Sequence, residues 1–485
     1  MYIIFLYFMN FDSVSLQNRF YRRKNRTMSE AGKNSGSRMK RLFWNWDHST
    51  NWCLNTIGRQ NCGVANPYTK KPDEFVHDYT RMIDFCSENR IDAVGVVGLL
   101  RDCHGGWDAA RRICAYGRKR GVRVYLIAGL YSYGGLYYEG DSPLSLVKFL
   151  AENPDCMAQT PDHQPKYLQY SWPHGVRREP SACPSHPRVH EFVLESLSKL
   201  FAELPELGGI QMEAGDSGLC CCERCLARRS QGGSADNSPA LSLSDMADIY
   251  PEAACTVRNA SKDAWIICEN YVHFLNNPTY NDPDSPAMRK LLSMSDDIFW
   301  QWSDRRLKPG MWTESDRLPE HLRRFQHIMR CHHGTQWDGG RHTLVIGKIR
   351  EQCRLSHLSG MNAVSIFGEC SPFHANTEFN YLALSYFADD PQASLDSFME
   401  NVMKPRLGGS VQLAADYTAW AGLTADPAKI PAAVESIISL LGKISADHEA
   451  VRRWMWLASF LNTYYFEFTR QNRVERAGRV ELDVF

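Results

Sequence analysis

From Arg41 onward, short apolar runs alternate with amphipathic stretches at a steady spacing. RLFWNWDHS (41–49) reads as a strand, and PDEFVHDYTRMIDFCSENR (72–90) as a helix with its apolar residues on one face. DAVGVVGLL (92–100) is a continuous apolar run, of the kind a parallel sheet buries on both faces. A helix over 107–120 and the strand VRVYLIAGLYSY (122–133) follow. The connection 156–187 is polar, proline-rich and long, which in a compact domain points to a functional loop.

The alternation then resumes. A helix over 188–204 carries Val189, Phe192, Val193, Leu197 and Leu200 at helical spacing and leads into the strand GGIQMEAGD (208–216). A helix near 242–261 precedes AWIICENYVHF (264–274), and one over 287–294 precedes DDIFWQWSD (296–304). A helix near 316–330 comes before a weaker strand at HGTQWDGG (333–340); a helix over 343–359 comes before NAVSIFGEC (362–370). Eight strands in βα order, with no early glycine-rich dinucleotide turn, predict a (β/α)8 TIM barrel over an open doubly wound sheet. Beyond residue 376 the pattern is purely helical. The expected organisation is a disordered leader over 1–39, a barrel over 40–375 and a helical C-terminal region over 376–485.

Composition narrows the partners. With 55 basic and 55 acidic residues the chain has no surplus charge to attract nucleic acid. No apolar run approaches the roughly 20 residues of a membrane span. The N-terminal apolar run has its basic residues after it and makes a poor signal peptide. Sixteen cysteines scattered through apparent core elements, among them Cys86, Cys114, Cys268 and Cys353, favour a reduced, cytoplasmic chain. A homo-oligomer stays open.

The chemistry is expected at the C-terminal strand ends, where such barrels build their sites. Asp47, Glu213, Asp216, Glu269, Asp304, Asp338 and Glu369 all stand there. Trp44, Trp46, Asn45, Tyr131, Asn270, Tyr271, Trp300, Trp302, Trp337 and Phe367 stand beside them. Any one such acid can be a loop cap, but the series interleaved with aromatic rings suits sugar recognition. Glycoside hydrolysis needs two carboxyl groups across a ring, about 5.5 Å apart for retention and about 6.5–9.5 Å for inversion. Glu213, after the apolar run Gly209–Met212, is the expected proton donor, with Glu369 or Asp338 as its partner. Glu269 is a further nucleophile or base candidate. Asp47, Trp46, Tyr131, Asp216, Glu269, Asn270, Tyr271, Trp302, Asp304 and Trp337 are expected to bind the substrate.

Directly after strand four comes a cysteine run, GLCCCERC. Cys220, Cys222 and Cys225 form C-x-C-x-x-C, which holds zinc if a fourth ligand comes from Cys183 or His186. The other reading is a metal-free thiol brace, and that is the expectation here. A catalytic metal is not expected, since adjacent histidines such as those in RCHHG (330–334) cannot both face one ion from a strand.

Two stretches resemble a known group of barrel proteins. EAGDSGLCCCERC, with its E-x-G-D-x-G followed by C-x-C-x-x-C, is one. FGECSPFHANTEFNYLALSYFADDPQASLDSFMENVMKPRLGG is the other, with Asn380-Tyr381-Leu382, Asp390-Pro391 and Asp396-Ser397-Phe398 after Glu369. The group is similar to β-N-acetylhexosaminidases and α-glucuronidases. The resemblance implies a (β/α)8 catalytic domain, an exo-acting glycosidase, and sugar-contacting or catalytic roles for Glu213, Asp216 and Glu369. The adjacent Asp-Glu pair of hexosaminidases is absent, because Glu213 precedes Asp216 by three positions. The expected function is removal of a terminal sugar from an oligosaccharide. A metal-dependent barrel lyase or isomerase and a non-catalytic carbohydrate-binding barrel remain the alternatives.

Overall fold

The computed structural model describes residues 38–46, 71–172, 175–215, 217–232, 241–270, 282–303, 317–334, 342–368 and 372–471. Its centre is a closed barrel of eight parallel strands, confirming the (β/α)8 expectation. In chain order the barrel strands are β1 (Lys40–Trp46), β2 (Ala93–Val97), β3 (Arg123–Gly129), β6 (Gly209–Glu213), β7 (Trp265–Asn270), β8 (Phe299–Ser303), β9 (Gln326–Cys331) and β10 (Ala363–Phe367). β4 (Tyr167–Trp172) and β5 (Gly175–Pro180) form an antiparallel hairpin outside the barrel, within the long polar connection. The barrel closes by parallel pairing of β1 with β10, Trp44 lying opposite Phe367.

Strand periodicity splits the apolar residues into two layers. Leu42, Trp44, Trp46, Tyr125, Ile127, Ile267, Phe299, Ile328 and Phe367 form one buried cluster inside the barrel. Phe43, Val94, Leu126, Ile210, Met212, Ile266, Trp300, Trp302, Met329 and Val364 alternate with them and belong to the larger cluster shared with the surrounding helices. The interior is tight. A Cβ on Gly95 would stand 2.2 Å from the Tyr125 ring, so only glycine lets that ring cross the barrel.

One expected element moves. The seventh strand is Gln326–Cys331, not 333–340, and 317–325 holds a single 3-10 turn at Glu320–Leu322 in place of a helix. Residues 335–341 lie outside the described residues. A strand buried on both faces reads as a short apolar run, which spacing alone cannot tell from a helix segment. Gln326–Cys331 is such a strand, buried at all but its first residue.

After β10 the chain is helical: Ala375–Asp389, Val411–Ala421, Ile430–Lys443 and His448–Gln471 are the main segments. Glu378 on the first of these accepts from Arg452 (2.9 Å) and, through both oxygens, from Arg453 (2.7 and 2.9 Å) on the last. Burial would raise the Glu378 carboxyl, but the two guanidinium groups outweigh it and hold the group below its ordinary range. Residues Met39–Phe485 form one compact unit. Among the described residues no helix is long and apolar enough to cross a membrane.

Candidate active site

Polar side chains collect on the inner face towards the C-terminal strand ends. Glu213 is the last residue of β6, Glu269 the penultimate residue of β7, and Arg330 the penultimate residue of β9. All three are buried, Glu213 at 2%, Glu269 at 0% and Arg330 at 7% exposure. Arg330 Nη1 forms a close ion pair with Glu269 Oε1 and stands 3.9 Å from Glu213 Oε1. Gln301, on β8 between them, donates to the same Glu269 oxygen at 3.2 Å. One guanidinium nitrogen is thus shared unequally by two glutamates from adjacent strands.

Aromatic rings fix that guanidinium. It lies 4.3 Å from the centre of the Trp44 ring, close enough for a cation–π contact. Trp44 packs in turn on Phe367 (4.5 Å between centroids), and His332 lies edge-on to Trp44 at 6.2 Å. Below them, both polar atoms of Gln211, the Ser365 hydroxyl and the Trp44 indole nitrogen are buried without a hydrogen-bond partner among the described residues. Polar groups therefore share the interior with the apolar and aromatic cluster, where an ordinary barrel core would be filled with Val and Leu alone.

The spacing of β6 and β7 is gripped from outside. Tyr250, on the helix Leu243–Ala260, points its hydroxyl between the Glu269 carbonyl (2.9 Å) and the Met212 carbonyl (3.2 Å). Its helix is started by Ser242, whose hydroxyl accepts from the Asp245 amide while Asp245 accepts from the Ser242 amide (3.1 and 2.8 Å).

Of the expected site residues, Glu213 and Glu269 come together. Trp46 lies inside the barrel with Tyr133 and Tyr138 against it (5.8 and 6.2 Å). Trp302 does not join them: it lies in the outer layer, 2% exposed, with its indole N–H donating to His327 Nδ1 at 2.9 Å. Tyr131 is also buried in the outer cluster, and Asn270, fully buried, falls on the strand face opposite Glu269. Asp47, Asp216, Tyr271, Asp304, Trp337, Asp338 and Glu369 lie outside the described residues. Arg330, Gln211 and Gln301 are inner-face residues that the sequence reading did not single out. For Gln211 and Gln301 the signal was present, since each is a polar residue set between apolar ones in a strand-length run; Arg330 has polar neighbours at Gln326, His327 and His332 and carries no such signal.

The cysteines converge beside the β6 exit. Cys183, Cys220, Cys222 and Cys225 are all buried, with their sulfurs within 4.8 Å of one another. Cys183 Sγ is 3.5 Å from Cys222 Sγ and 3.7 Å from Cys225 Sγ. Cys221 turns aside, 3.6 Å from the Leu219 carbonyl. His186 faces away from the group, with Nδ1 3.4 Å from Cys156 Sγ and Nε2 3.5 Å from Asp155.

No family model and no curated protein matches the chain. It is similar in fold to a GH138 enzyme targeting pectin rhamnogalacturonan II (TM-score 0.47, 10% identity, 82% of this chain and 44% of that one). It is also similar to a GH20 exo-β-N-acetylglucosaminidase from Vibrio harveyi (TM-score 0.42, 9% identity, 78% and 58%) and to a β-N-acetylhexosaminidase (TM-score 0.45, 10% identity, 76% of each). The chain spans about half the length of the first two. These are likenesses of fold.

Proposed function

We propose that the chain is a cytoplasmic glycoside hydrolase that removes a terminal sugar from an oligosaccharide. The observation that supports this best is the pair Glu213 and Glu269 at neighbouring strand ends, divided unequally by Arg330. The reaction needs one carboxyl that delivers a proton to the leaving oxygen and one that is ionised as nucleophile or base. Glu269, in close contact with the guanidinium and with Gln301, has the surroundings of the ionised partner. Glu213, at 3.9 Å, has the looser contact and takes the donor role. Glu369 and Asp338 are the other partner candidates. A barrel interior with unpartnered amide and hydroxyl groups suits a substrate rich in hydroxyls.

The test is turnover of a panel of nitrophenyl glycosides, uronides and N-acetyl sugars included, by the parent and by Glu213→Gln, Glu269→Gln, Glu369→Gln and Asp338→Asn. Glu213→Gln is expected to lose activity towards poor leaving groups while keeping the fold. In a retaining reaction, azide is expected to give the glycosyl azide of inverted configuration with the nucleophile variant and of retained configuration with the acid/base variant. Parent-rate turnover by Glu213→Gln would remove it from the mechanism, and no turnover of any glycoside would refute the enzyme reading.

A further inference from the structure

We infer that Cys183, Cys220, Cys222 and Cys225 form a four-thiolate zinc site that braces the exits of β3 and β6. The argument is independent of the reaction proposed above. Zinc–sulfur bonds of about 2.3 Å in a tetrahedron place the sulfurs about 3.8 Å apart. The separations of 3.5 and 3.7 Å from Cys183 fit that figure, and all four sulfurs lie within 4.8 Å of one another. A disulfide needs about 2.05 Å and would join two of the four at the expense of the set.

The surroundings match a thiolate cluster. The Gln159 amide donates to Cys220 Sγ at 3.3 Å, and the Ser185 hydroxyl lies 2.9 Å from Cys225 Sγ. Cys225 lies in the first turn of the ten-residue helix Glu223–Gly232, where the backbone dipole favours negative charge. Four thiolates around a divalent ion leave two negative charges. Lys166 donates to the Leu219 carbonyl and Arg229 to the Cys220 carbonyl (2.7 Å), bringing two cations to the same loop. Binding would release the thiol protons to solvent, as metal uptake by cysteines requires.

The cysteines are the apolar centre of these loops. Ala158 and the four cysteines form a small buried cluster separate from the main one. The Ala182 amide donates to the Tyr131 carbonyl at 2.8 Å, tying the residue before Cys183 to the segment after β3. Cys220, Cys222 and Cys225 follow β6 closely. A metal here joins two neighbouring strand exits, one of which ends in Glu213. All four ligands come from protein, as in structural rather than catalytic zinc sites.

The test is elemental analysis of the full chain purified under reducing conditions from zinc-supplemented cells. One zinc per chain is expected, released when a mercurial blocks the thiols. Cobalt exchanged into the site is expected to show the intense visible and charge-transfer bands of a tetrahedral four-thiolate complex. Cys221→Ser is expected to keep its zinc, and Cys183→Ser to lose zinc to a competing chelator at least about ten-fold more readily. Metal-free parent protein, iron in place of zinc, a disulfide involving Cys183, or unchanged retention by Cys183→Ser would each overturn the assignment. The parent's metal content and cobalt spectrum decide the matter even if Cys183→Ser fails to fold.

Discussion

Arg330 and Glu269 are an ion pair with both side chains buried, reaching across the barrel from β9 to β7. Gln301, on the strand between them, donates to the same carboxylate oxygen, so three consecutive strands meet at one atom. Removing one member strands the other's charge in a buried position, which costs about 3–5 kcal/mol. Arg330→Met is therefore expected to lower stability by that amount in urea unfolding. Adding Glu269→Gln should restore most of the loss, because neither charge is then left alone. Equal stability of Arg330→Met and parent would show that the pair is not buried as described.

Trp302 and Trp44 test the two-layer reading. Trp302→Phe loses a hydrogen bond to His327 worth about 1 kcal/mol and should leave glycoside kinetics unchanged. Trp44→Ala removes the ring under the Arg330 guanidinium and should lower kcat/KM on any active glycoside. Kinetics that respond to Trp302→Phe but not to Trp44→Ala would reverse the assignment of layers.

His327 makes stability depend on acid. The Trp302 indole donates to Nδ1, so the proton sits on Nε2, 2.7 Å from the Leu322 carbonyl it donates to. Burial pushes this imidazole down to about 4. In the unfolded chain it titrates near 6.5, so between those values the unfolded state binds a proton that the folded state refuses. Stability should be full above pH 6.5 or so and fall by about 3 kcal/mol as the pH drops to about 4. Chemical unfolding across that range, compared with His327→Asn, should show a shallower slope in the variant. Parallel slopes would discard the role of His327.

Glu378 ties the last helix to the helix that follows β10. Glu378→Gln is expected to cost up to about 3 kcal/mol, since buried Arg453 loses its two-oxygen partner, while Glu449 still pairs with Arg452 at 3.0 Å and with Arg453 at 3.5 Å. Thermal unfolding should remain a single transition, shifted downward. A separate early transition confined to the C-terminal helices would contradict a single cooperative unit.

Much of the barrel was legible because parallel strands declare themselves as apolar runs with helices between. Glu213 and Glu269 were legible as acids ending such runs. Trp302 misled for an instructive reason. In FWQWS the two tryptophans share a face, and the strand's register turns Phe299 and Gln301 inward while Trp300 and Trp302 pack outward against helices. Arg330 was hidden by reading HIMRC as the end of a helix. Sequence named both Cys183 and His186 as fourth members of the cysteine group; only the folded loops show that the histidine looks the other way.

The Tyr250 hydroxyl, placed between the Met212 and Glu269 carbonyls, has a consequence for the chemistry proposed here. Whether a glycosidase keeps or inverts configuration depends on the gap between its two carboxyl groups. In this barrel a side chain on the outer helical shell bonds to both strands that carry Glu213 and Glu269, where the ladder between them ends at Met212 and Cys268. On the chemistry proposed above, the backbone that carries both carboxyl groups is thus held in part from behind the sheet, by a residue on the helical shell.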